Sequence, residues 1–162
     1  MTDPVTFAID RVEDLIGHSP HPAIVAVPIG AYTVSNICDG LAAMTGDSSF
    51  DDAARVSMAI GLVGAAAAAV TGFRDYSRIP REQVGHDVAT THGLGNAVAT
   101  SMMAASFALR VRDHAHDREA GVASRLLALG AGTLTFYTAW LGGKLVEEMG
   151  YGVKGKVSQQ EW

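Results

Sequence analysis

The sequence has a single cysteine, Cys38, and no cluster of lysine and arginine residues. One cysteine excludes an internal disulfide and any zinc or iron–sulfur site built from cysteines. A formal net charge of −5 without a basic patch argues against binding to nucleic acid. The first twenty residues lack the basic start and the apolar run of a secretory signal, so we expect no cleaved leader there.

Charge is also missing from four long stretches of the chain. Each stretch is close to the roughly 20 residues that an α-helix needs to cross a hydrocarbon core of about 30 Å. Because they consist largely of alanine, glycine, serine and threonine, the mean hydropathy of the chain is only +0.18. The sequence predicts an all-α integral membrane protein, a four-helix bundle with up-down-up-down threading in the lipid bilayer. The stretches are Pro22–Gly46 (interrupted once, by Asp39), Val56–Phe73, Val88–Leu109 and Leu126–Gly143.

The stretches divide the chain into three parts. The parts are an amphipathic amino-terminal segment, a bundle of four transmembrane helices and a polar tail, at residues 1–20, 21–146 and 147–162. In the first part Val5, Ile9, Val12 and Ile16 recur at spacings of four and three, which puts them on one helical face. This pattern predicts a short interfacial helix at the membrane surface with its acidic face in water, or alternatively a helix packed on a partner or on the bundle mouth.

Prolines and charged residues mark the connections between the spans. His21-Pro22 suits a helix start, and Pro28 is expected to kink the first span. We place Arg110 in the third connection, and Asp39 near the far interface as a solvated cap or a partner of Arg55. Lysine and arginine counts on the two sides favour both termini in the cytoplasm of a multi-pass protein of the inner cell membrane.

Small residues form a stripe on the second span. Small side chains let helix backbones approach closely in lipid, so we interpret the stripe as a packing surface. It comprises Ala54, Met58, Gly61, Ala65, Ala68 and Gly72.

Most buried polar residues are expected at the end of the bundle that holds both termini. An imidazole in a membrane span is costly and usually faces a partner, a cavity or a cofactor. His92 lies about 9 Å inside the third stretch and shares a helical face with Asn96. Antiparallel threading brings His21 to the same end. The other residues expected there are His18, Arg74, Asp75, His86, Asp87 and Lys144.

Histidines on facing helices are the usual ligands of haem iron in a helical bundle. His21 and His92 are therefore a candidate pair of metal ligands for haem b. The remaining candidate cofactor-binding residues are His18, His86, Asn96 and Arg74. Alternatively, His92 hydrogen-bonds Asn96 or a neighbouring backbone group as a structural contact.

The other candidate sites are weaker. His114 and His116 could bind a surface metal ion, although a solvated charged loop explains them equally well. No nucleophile with its base can be specified, so an electron carrier or an accessory subunit is favoured over an enzyme.

Motifs spread along most of the chain resemble those of one family. They are Gly17-His18-Ser19-Pro20-His21-Pro22, Val27-Pro28-Ile29-Gly30, Gly61-Leu62-Val63-Gly64, Val70-Thr71-Gly72-Phe73-Arg74-Asp75-Tyr76, His92 with Asn96, Leu141-Gly142-Gly143-Lys144-Leu145-Val146 and Gly150-Tyr151-Gly152-Val153. From about Gly17 to Val153 the sequence resembles the predicted membrane proteins catalogued as domain of unknown function two-two-three-one. The resemblance implies four membrane spans, and some members carry a Rieske-type iron–sulfur domain after the fourth helix.

That fusion implies an electron-transfer setting. Here a Rieske-type partner would be a separate protein, because no Cys/His cluster follows the fourth stretch. Lys144 stands where relatives often have histidine or another residue, and lysine is not a usual haem ligand, so a haem site would use His21 and His92. Two functions remain open: a redox module with a quinone, an iron–sulfur protein or a respiratory complex as partner, or a non-catalytic accessory subunit of a larger membrane complex.

Overall fold

Helices account for most of the chain. The computed structural model describes residues 3–153, and that part contains helices, turns and one isolated bridge between His18 and Val153, without a β-strand. The predicted all-α class is confirmed. Of the predicted polar tail, residues 154–162 lie outside the described part. The helices are α1 (Pro4–Ile16), α2 (His21–Ile24), α3 (Ala26–Thr45), α4 (Ser49–Tyr76), α5 (Val84–His114) and α6 (Val122–Glu147).

The four long helices contact one another in a ring. α3 packs mainly against α4 and α5 mainly against α6, while contacts of α4 with α5 and of α3 with α6 join the two pairs. Ser106 bonds to the Ser124 carbonyl near one end of the α5–α6 pair, and His92 bonds to the Thr138 carbonyl near the other. The two helices of this pair therefore run in opposite directions.

α2 and α3 form one helix that is interrupted at Val25. Pro28 has no N–H to donate to the carbonyl of Ile24, so one bond of the helical ladder is missing there. This is the distortion that the sequence predicts for Pro28. The predicted start is also observed, because α2 begins at His21 with Pro22 in its first turn.

Some charged residues assigned to connections lie inside helices. α4 begins at Ser49, ahead of Asp52 and Arg55, and α5 continues to His114. Placing Arg110 in the third connection was wrong, because it lies within α5 and only 2% of its surface is exposed. Arginine is a good helix former, so its charge alone does not end a helix.

A buried ion pair explains where Arg110 points. Its two terminal nitrogens donate to the two carboxylate oxygens of Asp39 at 2.7 and 2.6 Å. Pairing Asp39 with Arg55 was wrong, because Arg55 bonds to Asp52 at 3.0 Å. The expectation that most buried polar residues gather at the end with both termini was also wrong. Asp39, Arg110 and the buried Ser106 lie at the opposite end, where each charge is compensated by its partner.

The interior contains small side chains, whereas many large apolar side chains point outward. On the predicted α4 stripe Ala54, Met58, Gly61 and Ala68 are buried, as expected for a packing surface. A broad apolar exterior is typical of a surface that contacts membrane or protein. Exposed apolar residues on the long helices include Val34, Ile37, Val56, Ile60, Val63, Val70, Leu94, Val98, Leu126, Leu129, Phe136 and Trp140.

Two described helices are long and apolar enough to cross a membrane. They are His21–Thr45, with 25 residues, and Ser49–Tyr76, with 28 residues. α5 and α6 are long enough as well, but polar residues such as His92, Asn96 and Thr135 lower their average hydropathy. Length and composition thus support two of the four predicted spans.

Removing one partner of the buried ion pair should destabilise the fold. Asp39→Asn leaves the Arg110 guanidinium buried without its counter-charge, so we expect a loss of roughly 3–5 kcal/mol in the free energy of unfolding. Denaturant unfolding in detergent measures it. Asp52→Asn, which breaks the more exposed pair with Arg55, is the matched control and should cost no more than about 1 kcal/mol. Equal effects of the two substitutions would contradict the burial argument.

Candidate functional site

His21 and His92 face each other at the end of the ring where α2 approaches α5. Their ring centroids are 6.3 Å apart, and the ring planes are nearly perpendicular, at 89°. Two imidazoles that share one metal ion through bonds of roughly 2 Å each would have centroids roughly 6 Å apart. The separation of this pair is therefore compatible with a shared metal ion.

The hydrogen bonds of His92 define its tautomer. The Thr138 carbonyl lies 2.8 Å from Nδ1, and because a carbonyl only accepts, we assign the proton to Nδ1 and the lone pair to Nε2. The amide nitrogen of Asn96 is 3.4 Å from Nδ1 and 3.2 Å from Nε2. Such similar distances place it over the ring face rather than in line with the Nε2 lone pair. That lone pair therefore remains available to a ligand.

The same assignment holds for His21. Its Nδ1 lies 3.2 Å from the Thr71 hydroxyl, which has the Ala67 and Ala68 carbonyls within 3.1 Å. Because the hydroxyl donates to a carbonyl, it accepts from Nδ1 and leaves the lone pair on Nε2. Metal-ligating histidines commonly donate their other ring N–H in this way. Both imidazoles are thus in the tautomer in which Nε2 can bind a metal.

Two glycines leave room for the imidazole rings. A Cβ atom on Gly72 of α4 would lie 2.7 Å from Cε1 of His21, and one on Gly142 of α6 would lie 3.0 Å from Cε1 of His92. In the sequence, Gly72 belongs to the packing stripe and Gly142 to a family motif. Only the antiparallel pairing of the helices reveals that these glycines face the two histidines.

The histidines line a cavity of about 1000 Å³ between the α3–α4 pair and the α5–α6 pair. Along α4 its lining runs from Leu62 to Tyr76, which is about 21 Å of helix, and Arg78 lines it from the turn that follows. Most of its wall is apolar. The volume lies at the upper end of the range for small-molecule and cofactor sites.

The structure brings together four of the six predicted cofactor-binding residues. His21, His92, Asn96 and Arg74 line the cavity. His18 and His86 do not: His18 is exposed and bonds to the Ser19 carbonyl, and the His86 ring packs on Tyr76 with centroids 4.8 Å apart.

The second candidate metal site does not form a cluster. His116 bonds to the Arg112 carbonyl at 2.7 Å, and His114 lies 3.6 Å from Asp52. No group of three or more metal-ligating side chains occurs among residues 3–153.

An ion-pair network connects α1 to the end of α4. Arg74 is only 6% exposed and contacts three carboxylates, those of Glu13, Asp10 at 2.5 Å and Asp75 at 2.8 Å. Arg78 contacts Asp10 at 2.7 Å and Glu13 at 3.3 Å. The acidic side of α1 therefore packs on the bundle mouth, as in the second interpretation of this segment. The sequence predicted Arg74 and Asp75 at this end but not the contribution of Asp10 and Glu13.

The fold and its apolar exterior define a helical protein with the character of a membrane protein. The chain belongs to the family described as "Predicted membrane protein (DUF2231)", whose model matches residues 17–155. This confirms the family that the sequence motifs predict. The searches of curated proteins and of solved structures found no match.

Adding a methyl group at Gly142 should disturb the His92 ring, whereas the neighbouring glycine offers a control. A Cβ on Gly143 meets nothing within 4 Å. Alanine favours a helix over glycine by about 1 kcal/mol, so Gly143→Ala should stabilise the protein by up to that amount. Gly142→Ala should stabilise the protein less than Gly143→Ala does, or destabilise it, because the new methyl group crowds the His92 imidazole. Equal stabilisation of both variants in thermal unfolding would contradict this close contact.

Acid should loosen α1. The hydrogen bond from Arg74, with the charge of Arg78, holds the pKa of Asp10 below its usual value of 3.8. The pKa of Asp10 is lower in the folded protein than in the unfolded chain. Its ion pairs therefore stabilise the packing of α1 fully well above pH 3.8, and this stabilisation is lost as the pH falls through the lowered pKa. Hydrogen exchange of the α1 amides, corrected for intrinsic rates, should therefore stay constant near neutral pH and rise only below pH 3.8. Loosening near neutral pH would contradict the assignment.

Proposed function

We propose that this protein spans the membrane four times, binds haem b between His21 and His92 and carries electrons near one membrane face. The observation that supports this most strongly is the facing pair of imidazoles, with centroids 6.3 Å apart and both Nε2 lone pairs available. The apolar cavity around them has the size of a cofactor site.

The exterior of α5 and α6 supports the two further spans. These helices have 31 and 26 residues, enough to cross a hydrocarbon core. They expose Leu94, Val98, Leu126, Phe136 and Trp140. Several of their polar residues, such as Asn96 and Thr135, line the cavity, and Thr133 bonds to the Leu129 carbonyl of its own helix, so lipid would meet mainly apolar atoms. The cytoplasmic placement of both termini remains a prediction.

The residues around the cavity fit the requirements of a haem site. His21 and His92 would hold the haem iron, each oriented through Nδ1 by a partner on a neighbouring helix, Thr71 or Thr138. Bound haem supplies one-electron chemistry whose potential depends on these ligands and on the exclusion of water. A lipid-soluble quinone, a Rieske-type iron–sulfur protein or a respiratory complex would exchange the electrons.

The alternative function is an accessory subunit of a larger membrane complex. One observation favours it: Thr138 donates to Asn96 at 2.9 Å, and the Asn96 amide lies over His92, so these residues already form a connected polar network. In this alternative the network stabilises helix contacts and the exposed apolar residues pack on a partner.

Absorption spectra of the detergent-purified protein distinguish the two functions. Near-stoichiometric haem with low-spin bands is expected for the wild-type protein made in haem-supplemented cells. His92→Ala and His21→Ala should each remove a ligand and lose most of the bound haem. His86→Ala is the matched control, because His86 does not line the cavity, and it should retain its haem. Full haem content in His92→Ala would overturn the ligand assignment, and a colourless wild-type protein would favour the accessory subunit.

A further inference from the structure

We propose that Arg74 and Arg78 form a binding site for the carboxylates of an apolar ligand, and that α1 closes this site with its own carboxylates when the ligand is absent. The inference rests on the proposed function, because haem combines a largely apolar ring with two carboxylate groups. It goes beyond that function by assigning α1 the role of a displaceable latch.

The two arginines lie at one end of the cavity that contains the histidines. Glu13, Arg74, Asp75 and Arg78 all line it there, and we call this end the mouth. Arg74 follows Gly72, which contacts the His21 ring, by about 3 Å along the helix axis, and Arg78 lies in the turn after α4. A ligand that reaches the imidazoles can therefore also reach the guanidinium groups.

Charge rather than packing holds α1 in place. Ile9 is the one residue of α1 that is buried, while Phe7 and Leu15 are exposed. An open groove of about 620 Å³ lies between α1 and α4, lined by Ile9, Val70 and Phe73 among others. Little apolar surface of α1 is therefore buried against the bundle. The ion pairs with Arg74 and Arg78 are then the main attachment.

The charges at the mouth favour exchange of one set of carboxylates for another. With α1 in place, the two guanidinium groups face three carboxylates, those of Asp10, Glu13 and Asp75. Without α1, only Asp75 remains to compensate them. Burying a guanidinium group without a counter-charge is costly, so Arg74 favours any ligand that brings carboxylates. A ligand with two carboxylates restores the charge balance that α1 provides.

Haem b and its dimethyl ester test this proposal, because they share the iron and the ring but only haem b has free carboxylates. Each is titrated into the full-length protein in detergent and followed by absorption, while hydrogen exchange reports on α1. Haem b should bind and increase exchange across α1. The ester should bind about tenfold more weakly, as expected for one lost charge-assisted hydrogen bond, and leave α1 protected.

Variants separate the latch from the ligand site. Asp10→Asn with Glu13→Gln should weaken the latch, so haem b should bind about tenfold more tightly and the ester should be unaffected. Arg78→Gln tests the ligand site itself. The Arg78 side chain is half exposed, so its replacement should not unfold the protein. It should weaken binding of haem b but not of the ester.

The outcomes distinguish this proposal from the function on which it rests. Equal binding of haem b and its ester, with α1 protected throughout, would overturn the latch and leave the histidine site intact. Failure of both compounds to bind would overturn the haem site and the latch together. Tighter ester binding in the Asp10→Asn, Glu13→Gln variant would also contradict the latch, since it would mean that α1 blocks entry sterically.

Discussion

Polar side chains inside the ring of helices have to find partners within the ring, and most features of the interior follow from this constraint. Asp39 and Arg110 satisfy each other through two hydrogen bonds. Hydroxyl groups such as those of Thr33 and Thr135 donate a hydrogen bond to a carbonyl of the same helix. Among residues 3–153, few buried side-chain atoms lack a hydrogen-bond partner, for example Oγ of Ser35 and Nε of Arg125. Small residues on the facing helices allow the close approach that these bonds need.

The histidine pair is arranged differently from the other interior polar groups. Thr71 and Thr138 satisfy Nδ1 of the two rings and thereby direct both Nε2 lone pairs away from the protein bonds. Gly72 and Gly142 leave the space in which the rings sit. A purely structural network would be expected to use both nitrogens of a buried imidazole, because an unpaired buried acceptor is unfavourable. This difference is the geometric basis of the proposed haem site.

Helical periodicity and alternating threading were sufficient to predict much of this architecture. They give the all-α class, the inward face of His92 and Asn96, and the meeting of His21 with His92. They could not give the partner of Arg110. An arginine that follows an apolar stretch has the same sequence pattern whether it begins a loop or forms a buried ion pair within the helix. The contact of Asp10 with Arg74 joins residues 64 positions apart, and no local pattern indicates such a contact. The glycines beside the rings are likewise visible only after the helices are paired.

The two charged regions of the protein differ in a way that matches different roles. At the far end, Asp39 and Arg110 are both almost fully buried and each holds the other in a fixed bidentate geometry, so exchange with an outside ligand would require opening the helix ring. At the mouth, Arg74 is 6% exposed but Arg78 is 49% exposed, and two of the three carboxylates come from α1, which has little apolar packing to hold it. The pairs of Arg78 are partly solvated, and such pairs contribute little net stability and can exchange partners. The far pair therefore suits permanent structure, whereas the network at the mouth suits an attachment that a carboxylate ligand can replace.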